Sequence, residues 1–419
     1  MLTSLKNQIK SEALKVLLKN AKHGLDKKGQ EYFYICPALE RYPYQWLWDS
    51  CFHSIVMTHF APELAEREIE TLLSMVQDNG FLPHILFWEK VSFPYNLIVK
   101  YLYGNENSNK LTQPPLVALA MEKVYSKTKN KEFLEKTLPL AKKFYLWLMK
   151  ERDLDKDGLV SIIHPYEAGA DHNPEFDSIY CIKKPSYLNL TLASIRTLLD
   201  CKKFDWDLEK ISEKDYFNVE SVQFNSLHAL SLKSMSKLFE EIDNEGDARF
   251  FKKESERTEK AILKKCYDSV DDVFVDLVFD EKFRVPVTSF FSVIPIILEN
   301  IDPVIVDLIV TKHLLNPNEF WLPYPIPSVP KNNPSFSSNL TRLLWRGPTW
   351  INVNWLIFNA LIKKGYYDVA KEIKKKSVEL VLKSGFREFY NPITGKGLRS
   401  KDYGWSTLVV DMIESQKNI

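Results

Sequence analysis

Three scarcities frame the reading of this chain of 419 residues. Cysteine is the first: Cys36, Cys51, Cys181, Cys201 and Cys266 are odd in number and widely spaced, with no Cys-x-x-Cys pair and no Cys/His metal spacing. That excludes a disulfide framework and a zinc ribbon, and it leads us to expect reduced thiols in a cytoplasm. The second is apolar length, because no run reaches the ~18 residues that a membrane-spanning helix needs. The opening MLTSLKNQIKSEALKVLL is interrupted by Lys6, Lys10, Glu12 and Lys15. It reads as an amphipathic helix with Leu5, Ile9 and Leu17 on one side, not as a signal peptide. The third is net charge: 56 Lys and Arg against 55 Asp and Glu leave +1. Neither nucleic acid nor an anionic membrane is therefore expected as the main partner.

Aromatic residues, by contrast, are plentiful. Ten Trp, 19 Tyr and 25 Phe make up 13% of the chain, and many of the Trp lie in irregular, Pro-rich stretches. Sugar rings present flat C–H faces that stack on such side chains, although an aromatic-rich core has the same composition. Helical periodicity dominates elsewhere. Leu134, Leu138, Ala141, Tyr145 and Leu148 lie on one face of a helix, and similar windows over 3–22, 50–60, 62–77, 114–126, 186–200, 219–240, 245–266, 289–299, 301–313, 348–363, 366–383 and 404–415 predict about a dozen helices. One short strand is expected at Val273–Leu277. No fixed-length repeat is present, which excludes a helical solenoid. Long segments at 31–48, 79–112, 153–185, 315–347 and 384–403 are too aromatic to be disordered, so they are expected to be ordered loops on one face of an all-α scaffold. No linker divides the chain, so residues 1–419 are expected to form one domain.

Two of these loops carry carboxylates in a setting suited to acid–base work. His164-Pro-Tyr-Glu-Ala-Gly-Ala-Asp171-His-Asn-Pro-Glu-Phe-Asp177 holds four acids among turn-forming residues. Phe386-Arg-Glu388-Phe-Tyr-Asn-Pro-Ile-Thr-Gly395 holds one acid among aromatics and an Arg. Glycoside hydrolysis needs such a pair, one carboxylic acid to protonate the leaving oxygen and one carboxylate as nucleophile or base. Tyr42-Pro-Tyr-Gln-Trp46-Leu-Trp48-Asp49-Ser50 and Trp345-Arg346-Gly347-Pro-Thr-Trp350-Ile-Asn352-Val-Asn-Trp355 set polar groups between Trp residues where helices begin. Asp49 and Ser50 are equally placed to cap a helix, and Arg346 to form a structural ion pair.

Taken together these segments resemble the inverting α-glycosidases of glycoside hydrolase family sixty-three, in its short single-domain form. Residues 42–53 are similar to that family's W-x-W-D-S signature, 78–84 to its D-G-F-I-P-H loop and 112–115 to its T-Q-P-P segment. Residues 345–355 resemble its Y-W-R-G-P-x-W-x-N-x-N-W motif, 388–395 its E-x-Y-x-P-x-T-G motif, and 404–406 its closing W-S. The matches are collinear over about 42–410. The resemblance implies an (α/α)6 toroid, cleavage of a small α-glucoside or α-mannoside such as glucosylglycerate or mannosylglycerate, and no cofactor. It implies Asp171 as general acid and Glu388 as general base. It also implies a sugar pocket lined by Tyr42, Trp46, Trp48, Asp49, His84, Arg346, Gly347, Trp350, Asn352 and Trp405, with Gln113 toward the aglycone.

The acid loop departs from the family pattern E-S-G-x-D-N-S-P. Ala168 replaces the usual Ser, Ala170 the frequent aromatic and His172 the Asn. The loss at Ala170 removes a possible stacking surface, and His172 adds a titratable group beside Asp171. A trehalase-like or glucoamylase-like activity on the same scaffold is the enzymatic alternative, and a non-catalytic carbohydrate-binding scaffold is the other. Asp153-Leu-Asp155-Lys-Asp157-Gly158 opens like a calcium loop, but its twelfth position is His164 where the bidentate Glu belongs. A turn without metal is expected there.

Overall fold

In the computed structural model, residues 2–26, 28–103, 107–213, 217–278 and 283–415 are described. Helices dominate. The first six are α1 (Leu2–Asn20), α2 (Leu47–Met57), α3 (Pro62–Leu73), α4 (Tyr95–Tyr103), α5 (Val117–Thr128) and α6 (Lys131–Glu151). There follow α7 (Glu175–Ile179), α8 (Tyr187–Lys203), α9 (Leu208–Ser212), α10 (Val222–Glu240) and α11 (Glu245–Ala261). The last four are α12 (Pro303–Leu308), α13 (Ile351–Lys363), α14 (Tyr367–Ser384) and α15 (Val409–Glu414).

Burial sorts these helices into two kinds. Every residue of α2 is buried, and α5, α10 and α13 are buried along most of their length. The same holds for the tight 3₁₀ run Phe290–Ile297 and for the final turn Gly404–Leu408 leading into α15. Between them in sequence come amphipathic helices, α3, α6, α11 and α14, that bury one face and solvate the other. Helices α2 and α5 pack together, α5 packs on α10, α10 on Phe290–Ile297, and that run on α13; Gly404–Leu408 contacts both α13 and α2. One apolar cluster connects Ile9 near the start of the chain to Met412 near its end.

The expected helices are found within a few residues, with local differences that have physical causes. The 289–299 window is a 3₁₀ run, because Pro295 lacks the N–H that an α-helix would use there. Its start is fixed by Ser289, whose Oγ accepts from the N–H of Phe291 at 3.0 Å. Val273–Phe274 is a strand paired with Tyr267–Asp268. Two further hairpins are not expected from the sequence: Ala21–Leu25, which begins inside the 3–22 helix window, pairs with Glu31–Ile35, and Arg387–Tyr390 pairs with Gly397–Lys401 within the 384–403 loop. The 79–112 segment also contains α4, and 153–185 contains α7. The segments carrying the chemistry all meet the buried helices at their N-terminal ends, where first-turn N–H groups lack helical partners. One of them, the N–H of Trp48, donates to Oε1 of Gln113 at 3.3 Å.

Candidate active site

Glu388 sits in the Arg387–Tyr390 strand and is 2% exposed. Opposite it the hairpin register slips: Arg387 pairs with Lys401 and Phe389 with Leu398, so Glu388 faces both Arg399 and Ser400. Arg399 takes φ of 56° to make this β-bulge. The extra residue turns two donors onto one carboxylate. Arg399 Nη1 lies 3.2 Å from Oε1, and Ser400 reaches Oε2 with its hydroxyl at 2.9 Å and its N–H at 3.3 Å. Tyr42, 346 residues earlier, donates its hydroxyl to Oε1 at 3.1 Å. Burial raises the pKa of Glu388, and Arg399, Ser400 and Tyr42 pull it only part of the way back. Three hydrogen-bond donors and a guanidinium act on one buried carboxylate in favour of its ionised form.

The Asp171 loop is built differently. A 3₁₀ turn, Pro165–Ala168, ends at Gly169 with φ of 69°. A Cβ on Gly169 would stand 2.7 Å from the Trp48 indole, so the loop crosses directly over that ring. Of the loop's four acids, three are tied down. Glu167 forms a buried two-point ion pair with Arg152 at 2.8 and 2.9 Å and accepts the N–H groups of Thr112 and Ile163. Glu175 accepts from the Ser289 hydroxyl and lies against Asp276. Asp177, partly exposed, holds Arg346 at 2.5 and 2.9 Å. Asp171 is partly exposed too, but the hydrogen bond that steadies its charge comes from its own N–H. Burial lifts it to about 6, against the pull of Arg399, and Glu388 adds to the rise. The two carboxyls thus sit in one electrostatic neighbourhood with opposite hydrogen-bonding, the arrangement that separates an acid from a base.

Around them stand the expected walls. Trp345 and Trp350 stack with ring centroids 3.7 Å apart and planes 4° apart, and Trp405 and Trp48 close the cluster edgewise. Trp405 also donates its indole N–H to the Glu388 carbonyl at 3.1 Å. Trp46 packs on His84 and on the edge of Tyr42. Asp49, in the first turn of α2, is lifted to about 7 by burial, with His53 opposing and Glu388 reinforcing the rise. Its Oδ1, both amide atoms of Asn352 and the indole N–H groups of Trp46 and Trp350 are buried without protein partners. Such unsatisfied polar atoms are costly until a polar partner reaches them, and a sugar's hydroxyls could serve. His84 is held neutral, its pKa pushed down to about 3 by burial, and contacts Asn109 at 2.9 Å. Arg346 is paired with Asp177, and its Nε is buried without a protein partner. Gly347 is required where a Cβ would meet the Ser337 backbone at 2.5 Å. His172 is likewise neutral, pushed down to about 4 by burial and by Arg346 and Arg399. Arg399, not His172, therefore supplies the positive charge felt by Asp171.

The description of the mannosylglycerate hydrolase MGH1-like glycoside hydrolase domain matches residues 42–406. The chain belongs to that family. Among its relatives, the mannosylglycerate hydrolase of Thermus thermophilus is 27% identical, over 88% of this chain and 94% of its own length. The glucosylglycerate hydrolase of Mycolicibacterium hassiacum is 25% identical, over 88% of this chain and 91% of its own. A crystal structure of the family sixty-three mannosylglycerate hydrolase from Thermus thermophilus, in complex with Tris and D-glycerate, superposes with a TM-score of 0.85. It shares 25% identity and covers 97% of this chain and all of that one. This MGH1-like chain is accordingly a glycoside hydrolase, and predominantly helical like its relatives.

Three residues of this MGH1-like site escaped the motif reading: Arg399, Ser400 and Arg152. The first two face Glu388 only through the hairpin register, and a Thr394-Gly395 turn followed by a short alternating run was the one available hint. Arg152 meets Glu167 only once α6 has folded back on the loop. Two of the three carboxylates of the calcium-like loop are paired with cations. Arg257 of α11 pairs with Asp153 at 3.0 Å, and Lys265 pairs with Asp157. These cations stand against the same carboxylates that a metal would use.

Proposed function

We propose that the chain is an inverting α-glycosidase that cleaves a small α-glycoside of glycerate, with mannose or glucose as the sugar. Asp171 donates a proton to the glycosidic oxygen while Glu388 takes one from the water attacking the anomeric carbon on the opposite face. The observation that carries this reading is the contrast between the two carboxyls. Asp171, raised to about 6 and sparsely hydrogen-bonded, keeps a proton to give. Glu388 is surrounded by Arg399, Ser400 and Tyr42, which stabilise the charge a base must bear. Asp49, His84, Asn352, Trp350, Trp48 and Trp405 hold the sugar, and Gln113 faces the aglycone. The substrate class rests on the relatives, named for mannosylglycerate and glucosylglycerate. Residues 1–419 form a single (α/α)6 catalytic domain, a reading supported by the alternation of buried and amphipathic helices and by the continuous core. Five unpaired cysteines, four of them buried, support a reducing compartment.

The test is proton NMR of the anomeric signal during hydrolysis of both glycerate glycosides. The β-anomer appears first if the enzyme inverts; an α-anomer appearing first overturns the roles given to Asp171 and Glu388. Asp171→Asn should lose ~10²–10⁴ in rate on the natural glycoside. It should recover part of that loss on a substrate with a good leaving group, whereas Glu388→Gln should not.

A further inference from the structure

The chain leaves 22 large hydrophobic side chains exposed among its described residues, and ten of them lie on α4, α8 and the adjoining Phe93. Helix α8 explains why. Its buried face, Leu190, Ser194, Thr197, Leu198 and Cys201, packs onto the protein. At ~100° per residue, the opposite face carries Leu188, Leu192, Ile195 and Leu199. All four are exposed, Leu188 at 68%. A helix that is apolar on both sides is ordinarily buried on both sides. Beside it runs α4, whose only buried residue is Val99 and whose Leu97, Ile98 and Tyr101 face outward. The two helices touch where Lys202 of α8 covers the Tyr101 ring at 3.4 Å.

We infer that this face is the contact between two copies of the chain, joined by antiparallel packing of α8 on α8. The spacing of the exposed stripe identifies the occupant. Steps of four, three and four residues are the seam of a coiled coil, made to receive another helix. The sequence of steps is also the same in both directions. An antiparallel second copy therefore sets Leu188 against Leu199 of the partner subunit and Leu192 against Ile195 of the partner subunit. A two-fold contact demands this self-complementarity. Its size is adequate once α4 and Phe93 join the α8 stripe: if a half-exposed large side chain offers ~100 Å², given ~150–250 Å² for an aromatic buried in full, the four stripe residues offer roughly 400 Å² and all ten on the order of 1,000 Å², against the ~800 Å² per partner of a standard stable interface. Within the helix, Arg196 beside the stripe is paired with Asp200 at 3.8 Å. The remaining charge lies at the ends, where Lys183 and Lys184 precede the helix and Lys202 and Lys203 end it, so like charges meet at the rim, where salt screens them. The face also reaches the catalytic opening: Tyr187, the first residue of α8, packs edgewise on His172, next to Asp171.

Light scattering on the full chain after size exclusion tests this independently of the substrate assignment. Twice the chain mass of 48.9 kDa is expected, with the dimer surviving dilution better as salt is raised. Leu192→Glu and Ile195→Lys should each give the single-chain mass with an unchanged melting curve. The double variant should restore the dimer, because the antiparallel register sets each new charge against its opposite. A wild type that runs at the single-chain mass at every concentration overturns the inference, and so does a dimer indifferent to Leu192→Glu. Failure of the double variant to re-associate overturns the antiparallel register. Cosedimentation of a monomeric wild type with phosphatidylglycerol vesicles, lost in Leu192→Glu, would assign the face to a lipid surface instead.

Discussion

Replacing Arg399 by Met should move the whole pH–rate profile, and replacing Ser400 by Ala should move half of it. Arg399 lies 3.2 Å from the Glu388 carboxylate and also lowers the pKa of Asp171. A guanidinium this close typically depresses a carboxyl by ~1–3 units, and each unit is tenfold in the protonation ratio. Without it, Glu388 holds its proton to higher pH, so the acidic limb of kcat/KM shifts upward by ~1–3 units. Asp171 holds its proton longer too, so the alkaline limb follows. Ser400 touches only Glu388, through two hydrogen bonds on Oε2. Ser400→Ala removes the hydroxyl donor, shifts the acidic limb upward by less and leaves the alkaline limb in place. The assay is release of glycerate from the glycoside between pH 4 and 9, at substrate well below KM, with melting curves to confirm that each variant is folded. At ~pH 5, Arg399→Met should be slower than wild type by ~10–10³, with much of the loss recovered at ~pH 8. Equal loss at every pH would mean that Arg399 acts through structure alone, and the charge argument would be refuted.

Three other expectations follow from the same geometry. Chelator should leave the melting temperature of the wild type unchanged, because Arg257 and Lys265 neutralise the Asp153 and Asp157 carboxylates; Lys265→Met should cost ~1–3 kcal/mol and make the protein respond to added calcium. Burial lifts both carboxyls of the Glu175–Asp276 pair, and Asp276 lifts Glu175 further; Asp276 itself is lifted to about 7. The native state therefore holds more protons than the unfolded chain, and stability should fall as pH rises from ~4 through ~7 and beyond. Urea midpoints should show that fall, and Glu175→Gln, neutral at every pH, should flatten it; parallel curves would contradict a shared proton. Gly169→Ala, which forces a methyl group to 2.7 Å from Trp48 at a φ of 69°, should cost ~1–3 kcal/mol and reduce kcat/KM, read from thermal melts and initial rates.

Much of this site was legible in the chain because its motifs are short, local and chemically marked. Asp171, Glu388, Trp48, Asp49, Trp350 and Trp405 lie in runs whose Trp, Pro and acid content already suggested a carbohydrate pocket. Helix windows were legible for a related reason, since one-sided burial imprints its period on the sequence. What stayed hidden depends on pairing at a distance. Nothing local to Arg399 announces that a bulge will turn it onto Glu388, and nothing in Glu167, Glu175 or Asp177 says which acid of the loop will remain unengaged. That distinction required Arg152, Asp276 and Arg346, each from a separate part of the chain. The exposed stripe of α8 was masked by its buried one, because two apolar faces on one helix read as ordinary core.

The Arg152–Glu167 clamp has a consequence for engineering. Glu167 accepts the N–H of Thr112, the neighbour of Gln113, and shares its loop with Asp171. On the proposed roles, the turn assigned to the departing group and the turn assigned to protonate it are therefore fastened into one mechanical piece. A chimera that imports the Asp171 loop of a relative to change aglycone preference, but keeps this chain's 112–115 turn, would separate two halves of a single fitting. Recombination between relatives should succeed when the two turns travel together with the arginine that joins them.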